Sequence, residues 1–284
     1  VVVRGASFTD IFYGPKQEAE PAYASLSYNN RIENSSFTIN RKYHLIGMDS
    51  YALNAAEGKV GDTFIVKNST FNFFTDTYGT FVVRTCADRV RFENCKLNIN
   101  LKKQTDGSSP YCIMSIFAAL ATKATSPKVE LVNTDIEING AASSSAGRIS
   151  NPFAYLFSKI GAKSYSVSLN QCNIHGTARV DWSLFEQMES VSISNSQISI
   201  GGCDYHGYYI NAPKRLQITG TTFTGRLGKY NTLVSVPNEK DYSHSIDNTT
   251  VDASVSELFT TSPDRRHTRI TNVRNRTTNR PITK

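Results

Sequence analysis

The residues that could do chemistry gather around the only tryptophan. Trp182 is followed by Glu186 and Glu189, and tyrosines stand about one repeat length to either side, Tyr155 before and Tyr208 and Tyr209 after. Aromatic faces beside carboxylates suit a sugar, because the ring face takes its C–H groups and the carboxylate accepts its hydroxyls. The other reading makes alternate members of these strands plain core. A second set of carboxylates, Glu33, Glu93 and Glu130, alternates with Arg4, Lys67 and Arg91. Such a run reads first as a ladder of partly solvated ion pairs, each worth little. Its alternative is glycan hydrolysis, for which inverting carboxylates should stand ~6.5–9.5 Å apart. His175, His206, His244 and His267 are scattered without the spacing of metal ligands, so neither a metal nor another cofactor is expected.

A repeated phrase must position these groups. It is clearest at Val191-Ser-Ile193-Ser-Asn195-Ser-Gln-Ile198-Ser-Ile200, where apolar residues alternate, an Asn and a small residue intervene, and alternation resumes. Copies run from Phe64, Val90 and Val129, and weaker ones centre on Gly5, Asn34, Gln171, Gly220, Asn248 and Asn272. Alternation with period two marks strands, and self-similarity at a fixed frame marks a solenoid. The shortest intervals between anchors, such as Asn248 to Asn272, suit one turn of three short strands. They are too short for a four-stranded propeller blade, and no helical periodicity supports a leucine-rich repeat. The residue after each anchor is small (Ser69, Cys95, Thr134, Cys172, Ser196), and the one two further on is apolar (Phe71, Leu97, Ile136, Ile174, Ile198). With coils ~4.8 Å apart, each column becomes an internal ladder of like side chains. Asn or Gly at the anchor tolerates a left-handed bend. The expected fold is an all-β, right-handed, single-stranded parallel β-helix of about ten coils over residues 1–272, with a basic tail over 273–284. A short helical turn is expected within 50–57.

This pattern resembles the right-handed parallel β-helices of the pectin-lyase-like superfamily over nearly the whole chain. Gly61-Asp-Thr-Phe64 through Asn72 and Val82-Val-Arg84 through Cys95 are similar to two motifs of pectin methylesterases, "GDGFIAxxITFxN" and "ALRVSADRxxFYNC". Asp181-Trp-Ser-Leu-Phe185 stands in a frame similar to that family's DFIFG motif, and Gly225-Arg226-Leu-Gly-Lys229 resembles its GRPWK. The resemblance implies Asp181 as a carboxylate nucleophile and Arg226 as a catalytic partner, with Glu186 beside them. The chain departs from the family in two places. Gly79 and Thr80 stand where the oxyanion-stabilising Gln belongs, and Asn98 to Lys102 replaces the acid motif QDTLY. Asn133-Thr-Asp135 echoes a polygalacturonase motif but falls on a bend anchor, with no Asp-Asp pair or Gly-His-Gly after it.

Composition bounds the rest. A net charge of +7 and a pI near 9.1 are compatible with simple solubility or with attraction to an acidic glycan. Arg265, Arg266, Arg269, Arg274, Arg276 and Arg280 form a basic cluster that reads as a partner-binding segment or a frayed end. Cys95 and Cys172 occupy the small column and read as core filler, while Cys86, Cys112 and Cys203 show no pairing pattern. No stretch is long and apolar enough to span a membrane as a helix. Val1 to Asp10 already repeats the phrase, so further chain is expected before it. The resulting expectation is a glycan-engaging β-helix, most like a phage tailspike or surface adhesin, that binds polysaccharide or a cell-surface glycan and not nucleic acid. It would be extracellular, on a cell surface or on a virion, and tailspikes suggest a homotrimer. The alternatives are a carbohydrate-active enzyme on acidic polysaccharide (esterase, lyase or hydrolase) and a structural spacer.

Overall fold

A computed structural model describes residues 2–13, 23–24, 30–42, 50–55, 63–75, 80–85, 89–101, 113–119, 128–139, 153–158, 165–177, 183–186, 188–201, 208–225, 232–252, 254–261 and 263–283. The chain winds as a right-handed parallel β-helix whose strands stack into three parallel sheets of ten, ten and nine strands. Each coil gives one strand to each sheet in turn, as Ser166–Asn170, Asn173–Thr177 and Ser183–Glu186 do. Every neighbouring strand pair within a sheet is parallel, which places like positions of the phrase above one another.

The internal files follow from that register. In the second sheet Phe37, Phe71, Leu97, Ile136, Ile174, Ile198, Phe223 and Val251 align rung by rung, all buried. Phe37 and Phe71 stack with ring centroids 4.9 Å apart. In the first sheet Ile32, Val66, Phe92, Leu131, Leu169, Ile193, Ile218 and Ile246 do the same. The bend between these sheets is left-handed at every anchor: Gly5, Asn34, Asn68, Asn94, Asn133, Gln171, Asn195, Gly220, Asn248 and Asn272 all have φ between 45° and 61°.

The small column is chosen for chemistry as well as size. The Ser35, Ser69, Thr134, Ser196, Thr221 and Thr249 hydroxyls each donate to the carbonyl two residues earlier, at 2.7–3.0 Å. The Cys95 and Cys172 thiols take the same role at 3.3 and 3.4 Å. Burial pushes the Cys95 thiol up to about 11 and raises that of Cys172 as well. The thiolate is the reactive species, so neither should react with iodoacetamide in native buffer, and both should react in urea. Peptide mass mapping distinguishes them from the other three cysteines.

Two expectations change. Residues Ser50–Ala55 form a strand of the third sheet, not a helical turn, because pairing with Thr80–Thr85 satisfies a backbone that one isolated helical turn would leave open. Beyond residue 272 the chain continues the winding. Arg274–Asn275 is the last strand of the second sheet, Val273 is buried, and Pro281 pairs antiparallel with Arg274. Ile282 donates its N–H to the Val273 carbonyl at 2.9 Å and packs on the core. This return pairs with part of the outer edge of Arg274–Asn275. The insertions over 102–112 and 140–152 lie outside the described residues.

Candidate functional site

The bend between the first and second sheets carries a ladder of amides. Asn68 donates from Nδ2 to Oδ1 of Asn34 at 3.0 Å, Asn94 to Asn68 at 3.1 Å, and Asn133 to Asn94 at 2.8 Å. The backbone forces this stacking, since the N–H of each anchor bonds to a carbonyl of the next coil. A side-chain amide has two N–H groups and two oxygen lone pairs, so the ladder uses one of each and leaves one of each outward. These Asn residues are exposed. The ladder stops at Gln171 and Gly220 and resumes where Asn272 donates to Asn248 at 2.6 Å.

Beside the ladder runs an open groove of about 560 Å³, lined by Asn68, Asn94, Asn133, Gln171, Lys96 and Asp135 among others. Its far wall is the outward face of the second sheet. Register stacks Lys96, Asp135 and Asn173 in one column and Asn98, Glu137 and His175 in the next. Asn173 Nδ2 donates to Asp135 Oδ1 at 2.7 Å, and His175 Nε2 lies 3.2 Å from the same oxygen. Asn139 Nδ2 donates to Glu137 Oε1 at 3.2 Å, and Asn98 Nδ2 to Asn72 Oδ1 at 2.7 Å. The Asn98 Oδ1 atom is buried and accepts no hydrogen bond among the described residues. The groove thus offers amides, hydroxyls, one ammonium and the Asp135 carboxylate, with Glu137 and His175 in the column beyond its lining, a set of donors and acceptors suited to a polyhydroxylated ligand.

The outward face of the first sheet is an ion-pair lattice. Glu33 takes Arg4 Nε at 2.7 Å and Arg31; Glu93 takes Lys67 at 3.0 Å and Arg91 at 3.1 Å; Glu130 takes Lys128 at 2.8 Å and Arg89. The Arg4 bond holds the Glu33 carboxyl below its usual range, and the Lys67 bond does so for Glu93. Burial raises Glu130, but the Lys128 and Arg89 bonds outweigh it and the net shift is downward. A general acid needs the opposite shift, which none of these three carboxylates shows.

The residues that sequence singled out are spread over several surroundings. Asp181, Trp182 and Arg226 lie outside the described residues, as does His206. Tyr155, Glu186 and Tyr208 sit on strands of the third sheet, where Glu186 pairs in register with Ser158 and Asn211, and Tyr208 with Ser183. Their side chains lie outside the described residues. Glu189 is apart from that sheet, half-buried at the start of a first-sheet strand, with Lys214 at 3.5 Å and Arg215 at 3.3 Å. Tyr209 is core: it is 1% exposed, its ring lies edge-on to Phe223 at 5.2 Å, and its hydroxyl bonds the Gly225 carbonyl at 2.6 Å. Consecutive strand residues point to opposite faces, so two adjoining tyrosines cannot both be offered to one ligand.

Sequence reasoning missed Asp135, Asn173 and His175 as a group. They stand two and four places after the anchors Asn133 and Gln171, and tracing those offsets along the repeat would have found them. No family model matches the chain, and neither a curated protein nor a solved structure matches it.

Proposed function

We propose that this protein is a glycan-binding β-helix, related in architecture to the pectin-lyase-like superfamily, and that an extended polysaccharide lies along the amide bend. The supporting observation is the row Asn68, Asn94 and Asn133 beside the groove, each amide keeping a free donor and a free acceptor. Rungs repeat at ~4.8 Å, so a polymer meets the same polar pair at each step. Binding is favoured over turnover because Asp135 already serves Asn173 and His175, and the first-sheet carboxylates are each held by cations. A ligand of this class favours a location outside cells, on a cell surface or on a virion.

Glycine keeps the left-handed bend and removes the amide. The double variant Asn94→Gly, Asn133→Gly should therefore fold, yet bind the glycans selected from a printed library at least about fivefold more weakly, a loss on the scale of one or two hydrogen bonds. Equal affinity, or no glycan retained by the wild type, rules the groove out. Release of methanol or of shorter chains from polygalacturonate by the wild type would move the assignment to an enzyme.

A further inference from the structure

We infer that the coil formed by residues 263–283 carries a second, separate docking surface, an arginine crown that takes an acidic polysaccharide. Arg265, Arg266, Arg269, Arg274, Arg276 and Arg280 are all exposed around the last rung and the return that covers it. Asp264 is the only carboxylate between residues 263 and 283, and it is committed to Arg266, with Nη2 to Oδ2 at 2.6 Å. The other five arginines make no ion pair among the described residues. The contrast with the first sheet is direct, since Glu33, Glu93 and Glu130 there each neutralise at least two cations.

The crown is ordered by the fold. Arg274 is in the last strand of the second sheet, and Arg276 continues it by donating its N–H to the Val251 carbonyl at 2.8 Å. Arg280 is brought alongside by its carbonyl, which accepts the Asn275 N–H at 2.9 Å. Arg274 Nε donates to Asn272 Oδ1 at 3.2 Å and Nη1 to Asn279 Oδ1 at 3.4 Å, so its guanidinium is held in place with donors to spare. A planar guanidinium fork matches the paired oxygens of carboxylate or sulfate.

The chemistry around the crown selects among polyanions. Residues 263–283 contain no Phe, Tyr or Trp, and Tyr242, whose hydroxyl accepts the Asp264 N–H at 2.8 Å, is half-buried with its ring against His244 and His267, so the crown offers no row of open aromatic faces for stacking successive nucleobases. The one exposed large apolar residue among the described residues, Val2, belongs to the first strand of the first sheet. The crown therefore has nothing to insert into a bilayer. A carboxylated or sulfated polysaccharide needs neither. The crown lies four rungs beyond Gln171, about 19 Å at the stacking distance, and stands independently of the amide groove.

Heparin immobilised on a sensor is the probe, with the whole chain as analyte at low and high NaCl. The wild type should bind, and the affinity should fall with salt as counterions are released. The triple variant Arg274→Gln, Arg276→Gln, Arg280→Gln should bind about tenfold more weakly with a flatter salt dependence, at an unchanged melting temperature. Lys128→Gln on the first sheet, and Asn94→Gly with Asn133→Gly in the groove, should bind heparin as the wild type does. The inference is overturned if the triple variant binds equally well, or if the groove variant is the one that loses heparin. Tighter binding to short duplex DNA or to phosphatidylserine vesicles than to heparin also overturns it.

Discussion

Alanine in place of Gly176 should lower the unfolding free energy by more than about 3 kcal/mol, a strain-class loss well above that of ordinary substitutions. Gly176 has φ +124°, which side chains of L residues rarely allow. A Cβ there would stand 2.0 Å from the Ile138 carbonyl oxygen and 2.9 Å from the Ile138 nitrogen, both backbone atoms of the coil before. Neither can retreat without breaking the ladder that pairs Ile138, Gly176 and Ile200. The control is Gly220→Asn. Its φ of +56° is one Asn adopts readily, and the nearest atom is the mobile Oδ1 of Asn195 at 2.7 Å. A small rotation of that amide would extend the Asn ladder by a rung, so Gly220→Asn should stay within ~0.5 kcal/mol of the wild type. Urea unfolding of both variants is the measurement. A Gly176→Ala midpoint equal to that of the wild type would contradict the close approach of these two coils.

Mild acid should destabilise the last coils before Glu33, Glu93, Glu130 or Asp264 is protonated. His244 is 1% exposed in the inner file of the first sheet, between Leu216 and Thr268. Its Nε2–H donates to the Pro213 carbonyl at 2.9 Å, while Nδ1 is buried with no partner among the described residues, as is Thr268 Oγ1 in the next rung. The rings of Tyr242 and Phe259 pack on it at 4.8 and 5.9 Å, and Tyr242 is also 5.5 Å from His267. Burial lowers the His244 pKa below 6.5, and the Pro213 bond offsets only part of this. The unfolded chain then binds more protons than the folded one. The stability is whole above the unfolded value of 6.5 and falls as pH drops toward the folded pKa, by up to about 1.4 kcal/mol per pH unit. Glu33, Glu93 and Glu130 are held below 4.5, and Asp264 lies at about 2 because of its bond from Arg266, so their losses come at lower pH. Urea midpoints between pH 7.5 and 5 should slope for the wild type and flatten for His244→Phe. The slope is the readout, because the variant also leaves the Pro213 carbonyl unpaired. Equal slopes in both proteins would mean that His244 is not the titrating group.

Several features were legible because they are local. Left-handed backbone at an anchor is decided by Asn or Gly within a few residues, and all ten anchors adopt it. The alternating runs on either side of the anchor are just as local, and they form strands of the first and second sheets, as Ser190–Ser194 and Gln197–Gly201 do. Where local cues were weak, they misled. Tyr51 and Leu53 are compatible with a strand or a turn, and only the neighbouring coil Thr80–Thr85 decides. Tyr209 reads as a surface aromatic until the strand alternation around it is fixed by contact with Phe223. The hydroxyl-to-carbonyl bonds of the small column were hidden because size alone accounts for the residue types there.

The amino-acid order by itself determined the winding: period-two alternation, a bend residue and a small donor are short-range properties that repeat without reference to the rest of the chain. What only the tertiary structure decided is which side chains meet across coils. Asp135, Asn173 and His175 are joined over separations of 38 and 40 residues, and Asn133 reaches Asn94 over 39. Insertions of unequal length lie between those partners, so sequence distance carries no register. Hydrogen bonding between stacked strands sets it, and the groove and the arginine crown are both consequences of that register.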